Sequence, residues 1–277
     1  MMMLRKPVTE RGGVGGELRP NAGIAADFYK PVRVLIERMA KEIKREMIAA
    51  LHAAGMDHSH AMDAADGGVQ ARVRIRTLAD IWQPRFNRLA KKLVARMVSR
   101  TVKNSAITLG MSLRQISEDF MVDTDFINER LKAVISASTL EASNLIRVIP
   151  QEYLSDVQGA VMRSITTGRG LKDLVPTLNR LYDGRIRHAR NVALDQTRKT
   201  YSNVTATRLQ ALGCESFVWI HTGGGQHPRK DHIAMSGKEY RYDDLPVIGV
   251  MYGKEVRGKP ADLPFCRCVQ KPVFNWS

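Results

Sequence analysis

Three short stretches near the C-terminus decide how this chain folds: CESFVWIHTGGG at 214–225, RKDHIAMSGK at 229–238 and PFCRC at 264–268. Phe217, Val218, Trp219 and Ile220 form a short apolar run after Gly213, which predicts a buried strand leaving a helix end. Gly223, Gly224 and Gly225 reach positive φ without a Cβ clash, so they predict a sharp loop. Asp231 or Lys230 then opens a short turn with His232, Met235 and Gly237 facing inward and Gly237 as its left-handed stop. Lys238 to Tyr242 reads as strand. Leu245 to Gly253 is apolar but broken by Pro246, Gly249 and Gly253, which predicts a packed loop rather than a regular element. A last strand, Cys268 to Phe274, is expected to pair back into the sheet.

Working backwards, the helix that leads into this unit has Val192, Thr197, Tyr201, Val204, Leu209 and Leu212 on its expected buried side and ends at Gly213. Arg185, Arg187, His188, Arg190, Arg198, Lys199 and Arg208 form a basic run along it. The chain before Gly213 reads as predominantly helical. A helix over 27–54 carries Val32, Leu35, Ile36, Met39, Ile43, Met47 and Leu51 on one stripe and stops at Gly55. Further helices are expected over 112–119, 125–149, 150–166 and 171–181, with Pro150, Gly168 and Gly184 as the breaks. Residues 1–25 are rich in glycine and isolated charges without a period, which predicts a flexible arm. The expected fold class is α+β: a mainly helical N-terminal two thirds, 26–158, followed by a small C-terminal α+β domain, 159–277.

The chain has 277 residues, 44% of them apolar, enough for a true core. Its three cysteines, Cys214, Cys266 and Cys268, fit a reducing compartment better than a disulfide framework. No stretch of about 18 uncharged apolar residues occurs, and residues 1–20 lack the apolar centre of a signal peptide. The expectation is a soluble protein made in a cytoplasm, with no membrane partner.

A net charge of +15 makes a polyanion the natural partner, because each neutralised phosphate releases condensed counterions. The charge concentrates in one run of Arg72, Arg74, Arg76, Arg85, Arg88, Lys91, Lys92, Arg96, Arg100 and Lys103, with Asp80 the sole acid between its ends. Helical spacing puts Ile81, Phe86, Leu89, Leu93, Met97 and Thr101 on an apolar side, with Arg85, Arg88, Lys92, Arg96 and Lys103 opposite. A face so one-sided repels itself unless a counter-charge covers it, which makes these ten residues the candidate DNA contacts.

The order Trp219, His221, glycine hinge, Arg229-x-x-His232, Ser236-Gly237-Lys238, Pro264 and Cys266-Arg267-Cys268 resembles the Mu F-like phage head morphogenesis family, minor head or capsid proteins of tailed phages. The resemblance runs over about residues 160 to 274 and takes in the helix around Asp195, Gln196 and Thr197. It implies a portal- or capsid-associated protein of the virion head, present in the host cytoplasm during assembly and acting in head morphogenesis and in DNA packaging or ejection. The implied partners are the portal protein, the major capsid protein and double-stranded DNA bound without sequence preference. Trp219, Arg229, His232, Gly237, Cys266 and Cys268 are then motif residues with structural roles. The alternatives are a basic DNA-binding protein without a capsid role, and a zinc-dependent hydrolase or nuclease.

His227, His232, Cys266 and Cys268 are the residue types that enclose a tetrahedral zinc. Their spacing argues against it: Cys-x-Cys is a tighter chelate than the usual pair, and His227 sits beside Pro228 in the glycine-rich loop. Relatives that place a Cys-x-x-Cys pair near Arg229 to His232 have more metal character, and this chain lacks that pair. The expectation is therefore no metal and no cofactor, with His232 a buried imidazole pinning its turn to the C-terminal strand, and Cys266 and Cys268 small fillers on one strand face. His58 and His60, with Asp57 and Asp63, read as solvated rather than ligating. Asp231, His232, Ser236 and Lys238 include types able to act as base or nucleophile, but no motif pairs them, so no catalytic residue is expected.

Overall fold

The structure is a computed structural model that describes residues 12–55, 64–118, 122–223 and 228–275. Its elements run β1 (Gly13–Val14), α1 (Ala22–Ala53), α2 (Ala64–Arg114), α3 (Glu129–Arg147), α4 (Ile149–Thr166), α5 (Gly170–Ala211), β2 (Ser216–Ile220), α6 (Lys230–Ala234), β3 (Glu239–Arg241), β4 (Val247–Met251), β5 (Lys254–Arg257) and β6 (Val269–Phe274). The fold class is α+β, mainly helical up to Ala211 with an antiparallel sheet region at the C-terminal end. Among the described residues, no helix is long and apolar enough to cross a membrane.

The chain forms two compact units, each assembled from separate stretches: Ala26–Ala95 with Glu141–Ala193, and Met1–Ala25 with Arg96–Leu140 and Leu194–Ser277. α2 and α5 each supply residues to both units.

In the first unit, α1 buries Val32, Ile36, Met39, Ile43, Met47 and Leu51, the stripe its helical period predicts, with Leu35 half-buried beside it. The helix starts earlier than Asp27 because the Asn21 side-chain oxygen accepts the Gly23 N–H at 2.8 Å and caps it. One expected break and one expected separate helix are absent. α2 is a single 51-residue helix that includes 112–114, and α5 is a single 42-residue helix running through Gly184. A lone glycine costs a helix only about 1 kcal/mol, and the packed residues around it, Leu178 and Ala189, hold the helix together. Pro150 does mark a boundary: it stands in the first turn of α4, where its missing N–H costs nothing.

The second unit holds the sheet, in the order β1-β6-β2-β3 with all pairs antiparallel. β6 lies between β1 and β2, pairing Val218 with Lys271 and Trp219 with Gln270. The arm expected at 1–25 is described only from residue 12, and there it is built into the sheet rather than flexible. Gly13 pairs with Phe274, Val14 with Val273, and the Leu18 N–H donates to the Gln270 carbonyl at 2.9 Å. Glycine is needed here for close approach, since a Cβ on Gly15 would stand 2.6 Å from Ser112 Oγ and 2.8 Å from Pro272 Cγ. In α5, Val192, Thr197, Tyr201, Val204, Leu209 and Leu212 are all buried, as their spacing predicts.

The segment expected as a packed loop is instead the hairpin β4–β5, its turn made by Tyr252 at φ 51° and Gly253 at φ 76°. Positive φ at both central residues matches the right-handed strand twist, so a Tyr-Gly pair here does what Asn-Gly usually does. Trp219, Phe217, Ile248, Met235, Leu263, Cys266 and Cys268 pack as one cluster.

Candidate functional site

Two places carry the candidate chemistry: the exposed face of α2 and the polar centre of the Trp219 cluster. On α2 the buried side is set by Ile75, Leu78, Trp82, Phe86, Ala90, Leu93, Val94, Met97, Val98 and Thr101. Ile81, expected among them, is 36% exposed, because Trp82 takes the inward position. Arg72, Arg76, Arg85, Arg88, Lys91, Lys92, Arg96 and Lys103 are exposed, while Arg74 and Arg100 are half-buried. Arg74 is held by Glu46 at 2.8 Å and Arg85 stacks over Trp82 at 4.5 Å, so these two are partly committed within the protein. Arg76, Arg88, Lys91, Lys92, Arg96 and Lys103 have no acid partner among the described residues.

The second basic run is not a surface in the same sense. Arg185 is bound by both Glu152 and Asp156. Arg208 is fully buried, donating to the Val102 carbonyl at 2.8 Å and meeting Asp125 at 3.3 Å. Burial pulls the Arg208 pKa down, and Asp125 only partly opposes it.

In the C-terminal unit, β2 delivers Trp219 to the core and His221 to its end, while the single turn of α6 points His232 inward. Gly237 has φ +83°, the left-handed stop the sequence predicts, but it lies exposed and a Cβ there would meet nothing within 4 Å. Its N–H donates to the Trp219 carbonyl at 2.8 Å, tying the turn back to β2. Arg229 donates to the Pro264 carbonyl at 2.9 Å, and Thr222 Oγ1 donates to the Arg267 carbonyl at 2.8 Å, so both sides of the Cys-x-Cys segment are held.

His232 is 2% exposed, and its Nε2 donates to the Ile248 carbonyl at 3.0 Å. The imidazole is thus pinned to β4 by Nε2, which leaves Nδ1 facing Cys266 Sγ at 3.5 Å and Cys268 Sγ at 3.6 Å. The Trp219 ring meets the His232 ring edge-on at 5.0 Å. Cys266 and Cys268 are not on a strand, since β6 begins at Val269; they occupy the loop before it and still face one cluster. His221, which sequence reasoning quoted but left out of the ligand set, places Nδ1 3.6 Å from Cys268 Sγ. His227 lies outside the described residues, as do Asp57, His58, His60 and Asp63.

The cysteine pair shares its acidity unequally. The Cys266 thiol is held well below its ordinary range because Cys268 and His232 both stabilise its thiolate, and the hydrogen bond to Cys266, with burial, pushes Cys268 up. His232 is raised by its contact with Cys266, against the opposing effect of burial. The Ala261 N–H also donates to Cys266 Sγ at 3.4 Å. Asp195 accepts the Phe265 N–H at 2.8 Å, and Ser236 Oγ accepts the His221 N–H at 3.0 Å.

Residues 155–271 match the family described as Phage Mu protein F like protein, a family of structural head morphogenesis proteins, so the resemblance seen in the motifs holds over that segment. An uncharacterized protein of Haemophilus influenzae is 28% identical over 141 residues, 51% of this chain and 30% of that protein. The chain therefore spans under a third of that relative's length. No solved structure matches significantly.

Proposed function

We propose that this chain is a non-enzymatic minor head protein of a tailed phage or prophage, attached to the portal or inner capsid. In this reading it acts in head morphogenesis and in DNA packaging or ejection. The observation that carries the reading is the family match over 155–271, which covers the whole Trp219, His232 and Cys-x-Cys framework. The compact C-terminal unit would be the docking module and α2 the contact to packaged DNA. The cations Arg76, Arg88, Lys91, Lys92, Arg96 and Lys103, without an acid partner among the described residues, support sequence-independent phosphate binding.

The test is a pull-down of the full chain with the portal protein and with the major capsid protein of its own phage, alongside mass spectrometry of purified virions. Presence in virions together with portal capture is the expected result. Absence from virions with salt-sensitive DNA binding retained would favour a basic DNA-binding protein without a capsid role, which the same cations support.

A further inference from the structure

We propose that His221, His232, Cys266 and Cys268 form a closed, structural zinc site at the centre of the C-terminal unit. The geometry comes first. In a tetrahedral site with Zn–S about 2.3 Å and Zn–N about 2.0 Å, a nitrogen and a sulfur ligand stand about 3.5 Å apart. The three recorded nitrogen–sulfur separations are 3.5 Å for His232–Cys266, 3.6 Å for His232–Cys268 and 3.6 Å for His221–Cys268. The ligating atoms of His232, Cys266 and Cys268 all lie within 4.8 Å of one another, so one ion reaches all three; His221 stands outside that group and is placed by its contact with Cys268 alone, from which a turn of its half-buried ring would complete the shell.

Orientation points the same way. The Ile248 carbonyl can only accept, so Nε2 of His232 carries a proton and the Nδ1 lone pair of the neutral ring is the one aimed at the sulfurs. A second ring nitrogen fixed on a backbone carbonyl is how proteins hold an imidazole ligand. Cys266 already accepts the Ala261 N–H, which a thiolate ligand needs and a filler thiol does not.

Charge decides between zinc and an empty polar core. His232, Cys266 and Cys268 are each at most 5% exposed, and a thiolate ligand buried there needs a counter-cation. Two thiolates and two neutral imidazoles around a divalent cation sum to zero. Four protein ligands leave no position for water, so the role is to hold α6, β2 and the loop before β6 together, and not to activate a nucleophile. A donor set of two sulfurs and two imidazoles suits zinc better than magnesium, calcium or manganese.

The site stands independently of the proposed head role. Its test is metal analysis of the full, untagged chain purified without added metal, followed by replacement with Co²⁺ under reducing conditions. Near one zinc per chain is expected, with tetrahedral d–d bands and thiolate charge transfer in the cobalt protein. Cys268→Ser is expected to lose metal and stability together. His221→Asn, at the half-buried rim, is expected to stay folded and to lower zinc affinity more than the roughly 10–100-fold that loss of an outer partner causes. Metal-free protein that also gives no tetrahedral cobalt spectrum overturns the proposal. So does undiminished zinc affinity in His221→Asn, which would exclude that ligand. Zinc-loaded protein that never enters virions would sustain the site and break only the head-protein reading.

Discussion

The outer face of α2 and the interior around Trp219 put their chemistry on opposite sides of the solvent boundary. α2 follows the common rule: side chains from Ile75 to Thr101 face in, and cations such as Arg88 and Lys92 face out. The C-terminal unit departs from it, with an imidazole and two thiols at the centre of an aromatic core. A surface charge is free to bind something and contributes little to folding, whereas a buried polar group must be satisfied or the fold suffers. Substitutions in the two regions are therefore expected to separate stability from binding.

The largest effect is expected at Trp219, which is fully buried against Phe217, Ile248 and Met235. Trp219→Ala removes a large aromatic and leaves a cavity that costs about 3–5 kcal/mol. Thermal unfolding should shift down by about 10 °C or more. A shift of only a degree or two would mean that the C-terminal core is not what holds the unit together.

Gly237→Val comes next. Nothing stands within 4 Å of the added Cβ, so the whole cost is backbone strain at φ +83°, about 1–2 kcal/mol. The expected outcome is a folded protein with a lowered melting point. Urea unfolding with an unchanged slope and a lower midpoint checks it. Failure to fold at all would show that the Gly237 to Trp219 hydrogen bond carries more than its share.

What was legible in the sequence followed from period and punctuation. The buried sides of α1 and α5, the stop at Gly213, the Trp219 strand and its last partner all rest on spacings that no distant residue can alter. The misses have a different cause. The β4–β5 hairpin was hidden because its turn is Tyr252-Gly253, where positive φ at a tyrosine has no compositional signature. Residues 13–18 read as an arm because their order comes from β6, more than 250 residues away in the chain. Arg208 read as part of a basic surface because its acceptor, the Val102 carbonyl, lies on another helix. His221 joined the polar cluster only when β2 and the loop before β6 came together, a juxtaposition that spacing cannot express.

A titration compares the two regions from another side. Tyr201 is buried, shares a 2.6 Å hydrogen bond with Thr108, and has its pKa raised from 10.0 to about 12, chiefly by burial. A raised folded pKa means that the neutral phenol is the stable form. The stability is fully present below pH 10 and is lost as pH rises toward about 12. Tyr201→Phe should cost about 0.5–1.5 kcal/mol at neutral pH and flatten the alkaline loss between those values. An unchanged alkaline profile in the variant would assign that loss to other groups, such as the buried Cys214 thiol, itself pushed up to about 12 by burial.

The smallest effect on folding, and the largest on binding, is expected from Arg88→Glu combined with Arg96→Glu. Both side chains are exposed and unpaired among the described residues, so stability should move by no more than about 0.5 kcal/mol. If each contacts a phosphate, the slope of log K for DNA against log salt should fall by about 0.9 per contact, close to 2 for the pair. Glutamate is the sharper choice than alanine because it adds repulsion to the lost attraction. The measurement is duplex binding at several salt concentrations, with thermal unfolding of the same preparation as control. An unchanged slope with unchanged stability would make the cationic face a docking surface for an acidic protein, since self-repulsion along α2 still demands a counter-charge. A lowered slope accompanied by a large loss of stability would erase the contrast with the Trp219 core, because the same residues would then be holding the fold.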